Sequence, residues 1–353
     1  MNSIVISLKK DIQYFLVTVI VLIVFTSCGE SNQPTDRQFK GFSVPLNFPQ
    51  PTYNFAKNPV TEAGFLLGKK LFYDEILSLD GTIACATCHI QTSAFTQHGH
   101  DLSHGINDLL TLRNTPPVQN MAWKRFFMLD GGVLDLDLFA INPITAHNEM
   151  GETMANVLEK LRNHKDYPSL FDKAFGSKDI NTERLLKALS QFQLMCVSAD
   201  SKYDKVKRNE GASFTSDEQA GYTLFLQKCE SCHKEPLFTN EAFTNNGIPI
   251  VNPEDKGRAS ITLNPKDEYR FIIPSLRNVA ETAPYMHTGK FRTLSDVLDH
   301  YSSGMIDHPT LDSSFRIPNG LGIPLTSEEK RVLTLFLHTL TDQNFMKNPL
   351  LAQ

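Results

Sequence analysis

Two short stretches of this chain could do chemistry: Cys85-Ala86-Thr87-Cys88-His89 and Cys229-Glu230-Ser231-Cys232-His233. In each, two thiols stand three residues apart and an imidazole follows at once. On one helical turn, residues three and four apart share a face. Two thiols so placed can each form a thioether to one vinyl group of the same porphyrin. The histidine, four after the first cysteine, then lies under the iron as an axial ligand. Cys-x-x-Cys-His is the attachment signature of c-type haem. Four cysteines can also hold zinc, as in paired knuckles, or pair as disulfides in an exported chain. The adjacent histidine in both copies favours haem, so two covalent c-type haems are expected, with His89 and His233 on the irons. Of six cysteines in all, Cys196, in QFQLMCVSAD, reads as a buried structural thiol.

The elements that must position these motifs read as helices. Leu66 and Lys70 belong to a helix ahead of the first motif. Met154, Val157, Leu158 and Leu161 recur at helical spacing, as do Leu185, Leu189 and Phe192. TSDE (215–218) has the form of a capping box opening a helix that ends at Cys229. TSEE (326–329) opens a last helix bearing Val332, Leu333, Leu335, Phe336 and Leu340. Strand signals are few. A chain of 353 residues has room for about two domains. The charged, glycine-containing stretch 201–213 marks their boundary, giving domains 52–205 and 206–353.

Hydrophobic residues make up 41% and charged residues 21%, an ordinary globular composition. A formal net charge of −5 provides no basic footprint, so no nucleic-acid partner is expected. At the start of the chain, Lys9 and Lys10 precede an apolar run from Tyr14 to Phe25, then Thr26, Ser27 and Cys28. Residues 1–27 read as a lipoprotein signal peptide, with Cys28 lipidated after cleavage. The alternative is a transmembrane anchor, for which the run is short. Residues 28–51 are polar and proline-rich and read as a tether. The expected location is periplasmic, anchored to a membrane by lipid.

From about residue 55 to 343 the chain resembles the bacterial di-haem cytochrome c peroxidases and their MauG-like relatives. The motifs that carry this are LGKKLFYDEILSLDGTIACATCH, LRNTPPVQN, PITAHNEMG, CESCH, DKGR, IPSLRNVAETAPYMHTGKFRTL and HYSSG, in the family's order. The resemblance implies a mainly α fold of two cytochrome-c-like helical domains, each with one c-type haem. His89 would serve the peroxidatic haem and His233 the electron-transfer haem. Glu149, in HNEMG, matches the family's distal glutamate. Cleaving a peroxide needs a base that takes a proton from one oxygen and delivers it to the leaving one, and a carboxylate can do both. Read alone, Glu149 is equally a solvated acid or a helix cap.

His98, His100 and His104 crowd the loop after the first motif. In some members a loop histidine closes the peroxidatic iron; His104 is the candidate here, the alternative being solvated loop histidines. Asn114, Thr282 and Pro284 match the family's calcium site, an oxygen shell suited to a hard cation; ordinary turn chemistry is the other reading. Arg113 could pair with a haem propionate.

Three positions depart from the peroxidase pattern. Where peroxidases have a methionine on the second iron, this chain has Tyr301, the MauG-like state, on an apolar helical face with Leu294, Val297 and Leu298. Met286 and Met305 are rival ligands, and a packed core tyrosine is the remaining reading. The family's inter-haem tryptophan is replaced by Leu129, with the lone Trp123 six residues earlier, and a distal glutamine is replaced by Phe139. The expected function is an oxidoreductase of the cytochrome-c peroxidase type. It would reduce hydrogen peroxide with electrons from a small cytochrome c or cupredoxin donor, and the family allows a homodimer. The alternatives are a MauG-like oxidase of a protein or small organic substrate, and a non-enzymatic electron-transfer lipoprotein.

Overall fold

The computed structural model describes residues 39–353. The expected signal peptide, the lipidation at Cys28 and the tether up to residue 38 lie outside the described residues. Phe39–Gln353 form one compact, mainly helical unit.

The same construction recurs in both halves. Ahead of the first motif runs the helix Glu62–Tyr73, capped by Thr61, whose hydroxyl accepts from the Gly64 amide at 3.1 Å. It crosses the helix Thr182–Met195, capped by Asn181. At the crossing there is no room for a side chain: a Cβ on Gly68 would stand 1.8 Å from the Ala188 carbonyl oxygen. In the second half, Ser216–Lys228 crosses Ser327–His338, and a Cβ on Gly221 would stand 2.0 Å from the Val332 oxygen. Both expected capping boxes are present, Thr215 with Glu218 and Thr326 with Glu329. Cys229 caps the end of its helix, so the second motif starts where the helix stops.

Aromatic residues fill both cores. Phe72 and Phe192 meet at 4.7 Å in the first, and Phe225 and Phe336 at 5.1 Å in the second. Each fully buried phenylalanine contributes about 1.5–3 kcal/mol relative to an exposed one. Among the described residues the strands form two short antiparallel pairs, Phe243–Thr244 with Phe271–Ile272 and Arg316–Ile317 with Gly320–Leu321.

Three segments differ from the sequence reading. Residues 39–51, expected to be tether, lie on the first core: Phe48 is buried, Phe39 meets Phe65 at 5.4 Å and Phe42 meets Phe55 at 4.4 Å. The proline-rich composition hid three aromatic anchors. The stretch 201–213 contains the helix Lys202–Lys207, with Tyr203 in the second core. Within that helix Asp204 pairs with Arg277 at 2.9 Å, both side chains fully buried. The helix opened by TSEE is not the last, because Gln343–Met346 follows and returns Phe345 and Met346 to the first core.

Candidate active site

Cys85–Cys88 form a single helical turn that His89 caps, and the His89 amide donates to the Cys85 carbonyl at 2.9 Å. This puts both thiols and the imidazole around one turn. A carbonyl can only accept, so the 2.8 Å contact between His89 Nδ1 and the Phe95 oxygen makes Nδ1 the protonated nitrogen. The lone pair is then on Nε2, as axial ligation requires. Burial holds the His89 pKa down to about 4, so the ring is neutral at pH 7.

Cys85, Cys88 and His89 line a cavity with about 1040 Å³ of empty space, part of it open to solvent. Glu149, Phe139 and Leu129 line the same cavity. No hydrogen bond or ion pair engages the Glu149 carboxyl among the described residues, and burial raises its pKa above the usual glutamate value. Its charge also contributes to the raised pKa of both thiols, which places it beside them. Burial, then Cys88, push Cys85 up to about 12, so the thiol is neutral.

Glu152, three residues on, shows the contrast. It is buried, pairs with Lys160 at 2.5 Å and accepts from Asn156. Burial pushes its carboxyl up, but these partners hold it net below the usual range. One glutamate of the pair is structural and the other faces the cavity unpaired.

The backbone that presents Glu149 is braced by a glycine the sequence reading passed over. The Ile106 amide donates to the Glu149 carbonyl at 2.8 Å. A Cβ on Gly105 would stand 2.3 Å from the Asn148 oxygen and 2.5 Å from that of Glu149. Gln193 was also passed over. It is buried at the cavity wall and its Oε1 has no partner. A buried polar atom without a partner is costly, and a bound group with polar edges fits that wall.

The residues therefore fit a covalently attached c-type haem. All five described cysteines are free, and no cluster of three or more His, Cys, Asp or Glu side chains suited to a metal ion occurs among the described residues. Cys196 is buried, and burial raises its thiol pKa above the usual range.

The second motif is a turn rather than a helix, closed by the same contact: the His233 amide donates to the Cys229 carbonyl at 2.9 Å. His233 Nδ1 lies 3.2 Å from both the Phe238 and Pro274 oxygens, which sets the same tautomer. Tyr301 stands near this motif. Burial raises its pKa, the Asn246 hydrogen bond opposes the rise, and the charges of Cys232 and Cys229 add to it. Met286 is close by, since Asn246 Nδ2 contacts its sulfur at 3.4 Å. Met305 is buried in a small cluster with Leu311 and Phe315. Tyr301 stands not on a continuous α-helix but in the π-helical turn His300–Gly304 that follows Leu294–Asp299.

Other expected residues fall as follows. His104 bonds Asp108 at 2.6 Å on the surface and is not among the cavity-lining residues; His98 and His100 are exposed. Asn114 and Pro284 meet, with Asn114 Nδ2 donating to the Pro284 oxygen at 2.7 Å while Oδ1 accepts from Gln97 at 3.0 Å. The Thr282 hydroxyl turns to the Val279 carbonyl. A calcium ion there would need the amide rotated to present Oδ1, an orientation that follows the local hydrogen bonds. Arg113 lines the cavity but gives Nε and Nη2 to Asp255 and Nη1 to Asp130. Two of its five N–H donors remain for a propionate. Trp123 is core: its indole N–H donates to the Pro49 oxygen at 2.8 Å and its ring packs on Phe48. Leu129, in contrast, lines the cavity and accepts through its carbonyl from Ile272 of the second half at 2.8 Å.

A family model described as di-haem cytochrome c peroxidase matches residues 62–212. The chain is 34% identical over 302 residues to the methylamine utilization protein MauG of Methylorubrum extorquens, covering 85% of this chain and 83% of that protein. It is 30% identical over 296 residues to cytochrome c551 peroxidase of Nitrosomonas europaea, covering 81% and 82%. Among solved structures, a MauG-like protein associated with microbial copper homeostasis matches with a TM-score of 0.79 at 31% identity, over 88% of this chain and 98% of that one.

Proposed function

The chain belongs to the di-haem cytochrome c peroxidase and MauG family, and we propose that it reduces hydrogen peroxide to water with electrons from a small donor protein. The observation that carries this reading is Glu149, an unpaired, half-buried carboxyl lining the same cavity as the first Cys-x-x-Cys-His turn. When bound, the haem held by Cys85, Cys88 and His89 would supply the redox-active iron for peroxide reduction. Glu149 takes a proton from one peroxide oxygen and returns it to the departing one. Phe95 fixes Nδ1 of His89 as the protonated nitrogen, so His89 would hold the iron through its free Nε2. Phe139 makes the cavity more apolar, which disfavours the charged form of Glu149 and so makes its carboxylate a stronger base. Two electrons and two protons convert one peroxide into two waters.

A second reading is favoured by Tyr301, which stands beside the second motif where peroxidases of the family carry methionine. On that reading the protein is a MauG-like oxidase of a protein or small organic substrate. Calcium at Asn114, Thr282 and Pro284, and a periplasmic position set by a lipid on Cys28, complete the proposal.

The test combines composition and turnover. The denatured chain should retain two haems by pyridine haemochrome assay. Peroxide should be consumed in step with oxidation of a reduced small cytochrome at one peroxide per two electrons. Full haem content without peroxide consumption would leave an electron carrier. Peroxide consumed with an organic substrate oxidised, and the cytochrome untouched, would move the protein to the oxidase branch.

A further inference from the structure

Three side chains meet beside the second motif. Asn246 Nδ2 lies 3.3 Å from the Tyr301 hydroxyl oxygen and 3.4 Å from the Met286 sulfur. An amide nitrogen carries two hydrogens, so it can donate to both at once. Asn246 is itself held in place. Its carbonyl accepts from His300 Nε2 at 3.0 Å, and His300 is buried. The carbonyl of the next residue, Gly247, accepts from the Ile306 amide at 2.8 Å. His300 and Tyr301 are consecutive on the turn His300–Gly304, so one element presents the phenol and also fixes the amide that meets it.

We propose that Asn246 is a positioning residue that decides the competition between Tyr301 and Met286 for the sixth position on the second haem, in favour of Tyr301. This rests on the reading of Tyr301 as that ligand. The two candidate ligands converge on one donor, and the donor treats them unequally. A hydrogen bond to an anionic phenolate oxygen is charge-assisted and about twice as strong as a neutral one. A thioether sulfur is a weak acceptor. The amide therefore stabilises the arrangement with tyrosinate on iron more than the arrangement with methionine on iron. Met305 lies in a cluster with Leu311 and Phe315 against which Tyr301 also packs, so a methionine band that survives in the Asn246→Leu/Met286→Leu double variant would assign the sulfur to Met305 and overturn the role given to Met286.

The experiment uses the ferric holoprotein and low-temperature near-infrared spectra, in which a methionine-ligated haem shows a sulfur-to-iron band. The variants are Asn246→Leu, Asn246→Asp and the double Asn246→Leu/Met286→Leu. The wild type should lack the band. Both single variants should gain it, the ratio of methionine to tyrosine ligation rising roughly 10- to 100-fold for the loss of a charged hydrogen bond. The double variant should lose it again. The second haem's reduction potential should rise in the single variants, because thioether favours ferrous iron more than phenolate does. A merely structural asparagine would alter the melting temperature and leave both signals unmoved, and that result would overturn the proposal. A methionine band already present in the wild type would overturn the Tyr301 reading, and the proposal with it. A wild type without the band and variants also without it would overturn the role of Asn246 alone. If the leucine variant does not fold, Asn246→Asp keeps the size, removes the donor and carries the test.

Discussion

Glu149 and Glu152 are the same residue type three positions apart, and their surroundings give them opposite chemistry. Glu152 has Lys160 and Asn156; Glu149 has burial alone. A carboxyl whose folded pKa is raised binds more protons folded than unfolded. Its presence therefore costs stability as pH rises from the ordinary 4.5 through the raised value, and the cost persists at neutral pH. Glu149→Gln removes that cost, so its melting temperature at pH 7 should equal or exceed the wild type's. Peroxide turnover should nonetheless fall by roughly 10²-fold or more, the usual scale for acid–base catalysis. In the wild type the base form is lost as pH falls through a value above that of an exposed glutamate, and the acid limb of the rate profile should lie correspondingly high. Steady-state rates across pH, with haem content checked by absorbance, measure both. A glutamine variant with undiminished turnover would place the proton relay elsewhere.

At the scale of elements, glycines set the distances that matter. Gly68 and Gly221 let two helix pairs cross in backbone contact, and each pair precedes or adjoins a haem motif. Gly105 acts closer to the chemistry, because the loop it occupies lies against the backbone of Asn148 and Glu149. A methyl group there meets carbonyl oxygens, which cannot swing aside as a flexible side chain can. Gly105→Ala should cost about 1–3 kcal/mol, as overpacking does, and should lower turnover at least tenfold with both haems retained. Thermal melting and activity measured on the same preparation decide it. A variant equally active and equally stable would mean the loop yields freely.

At the scale of the whole molecule, the buried Arg277–Asp204 pair links the second half to the helix Lys202–Lys207, and Asp204 also accepts from Asn47 of the segment docked on the first core. Burial alone would raise the Asp204 carboxyl, but the Arg277 hydrogen bonds and charge hold it below its ordinary 3.8. A depressed folded pKa gives stability that is present above the unfolded value and lost as pH falls through the folded one. Arg277→Leu leaves Asp204 buried without its cation and should cost about 3–5 kcal/mol. The double variant Arg277→Leu/Asp204→Leu should recover most of that and lose the acid sensitivity below about pH 4 that this carboxylate supplies. Urea unfolding at two pH values tests both. The proposed calcium site also spans the halves through Asn114 and Pro284. Chelation should perturb both haem spectra and lower turnover, with recovery on adding calcium. A protein shown metal-free by elemental analysis, with spectra and rate unchanged, would remove calcium from the account.

What the sequence by itself determined is whatever depends on spacing along the chain. Two thiols and an imidazole within five residues must fall around one turn, so the clustering of Cys85, Cys88 and His89, and of Cys229, Cys232 and His233, was legible from spacing, and haem attachment there is what that clustering fits. Capping boxes at Thr215 and Thr326 were legible for the same reason, because their hydrogen bonds close within three residues. Family motifs pointed to Glu149, but its unpaired state and its place beside the thiols depend on which side chains other segments bring near. Asn246, Gly105 and Gln193 left no local pattern, because each meets partners far along the chain or facing a cavity. Residues 39–51 read as tether because composition averages over the segment, whereas burial needs only three aromatic rings and a surface to receive them. Arg113 read as a propionate partner, and the fold gave most of its donors to Asp130 and Asp255, one of them more than a hundred residues away. Hydrogen bonds between distant segments form only once the chain has closed on itself, so those assignments belonged to the tertiary structure.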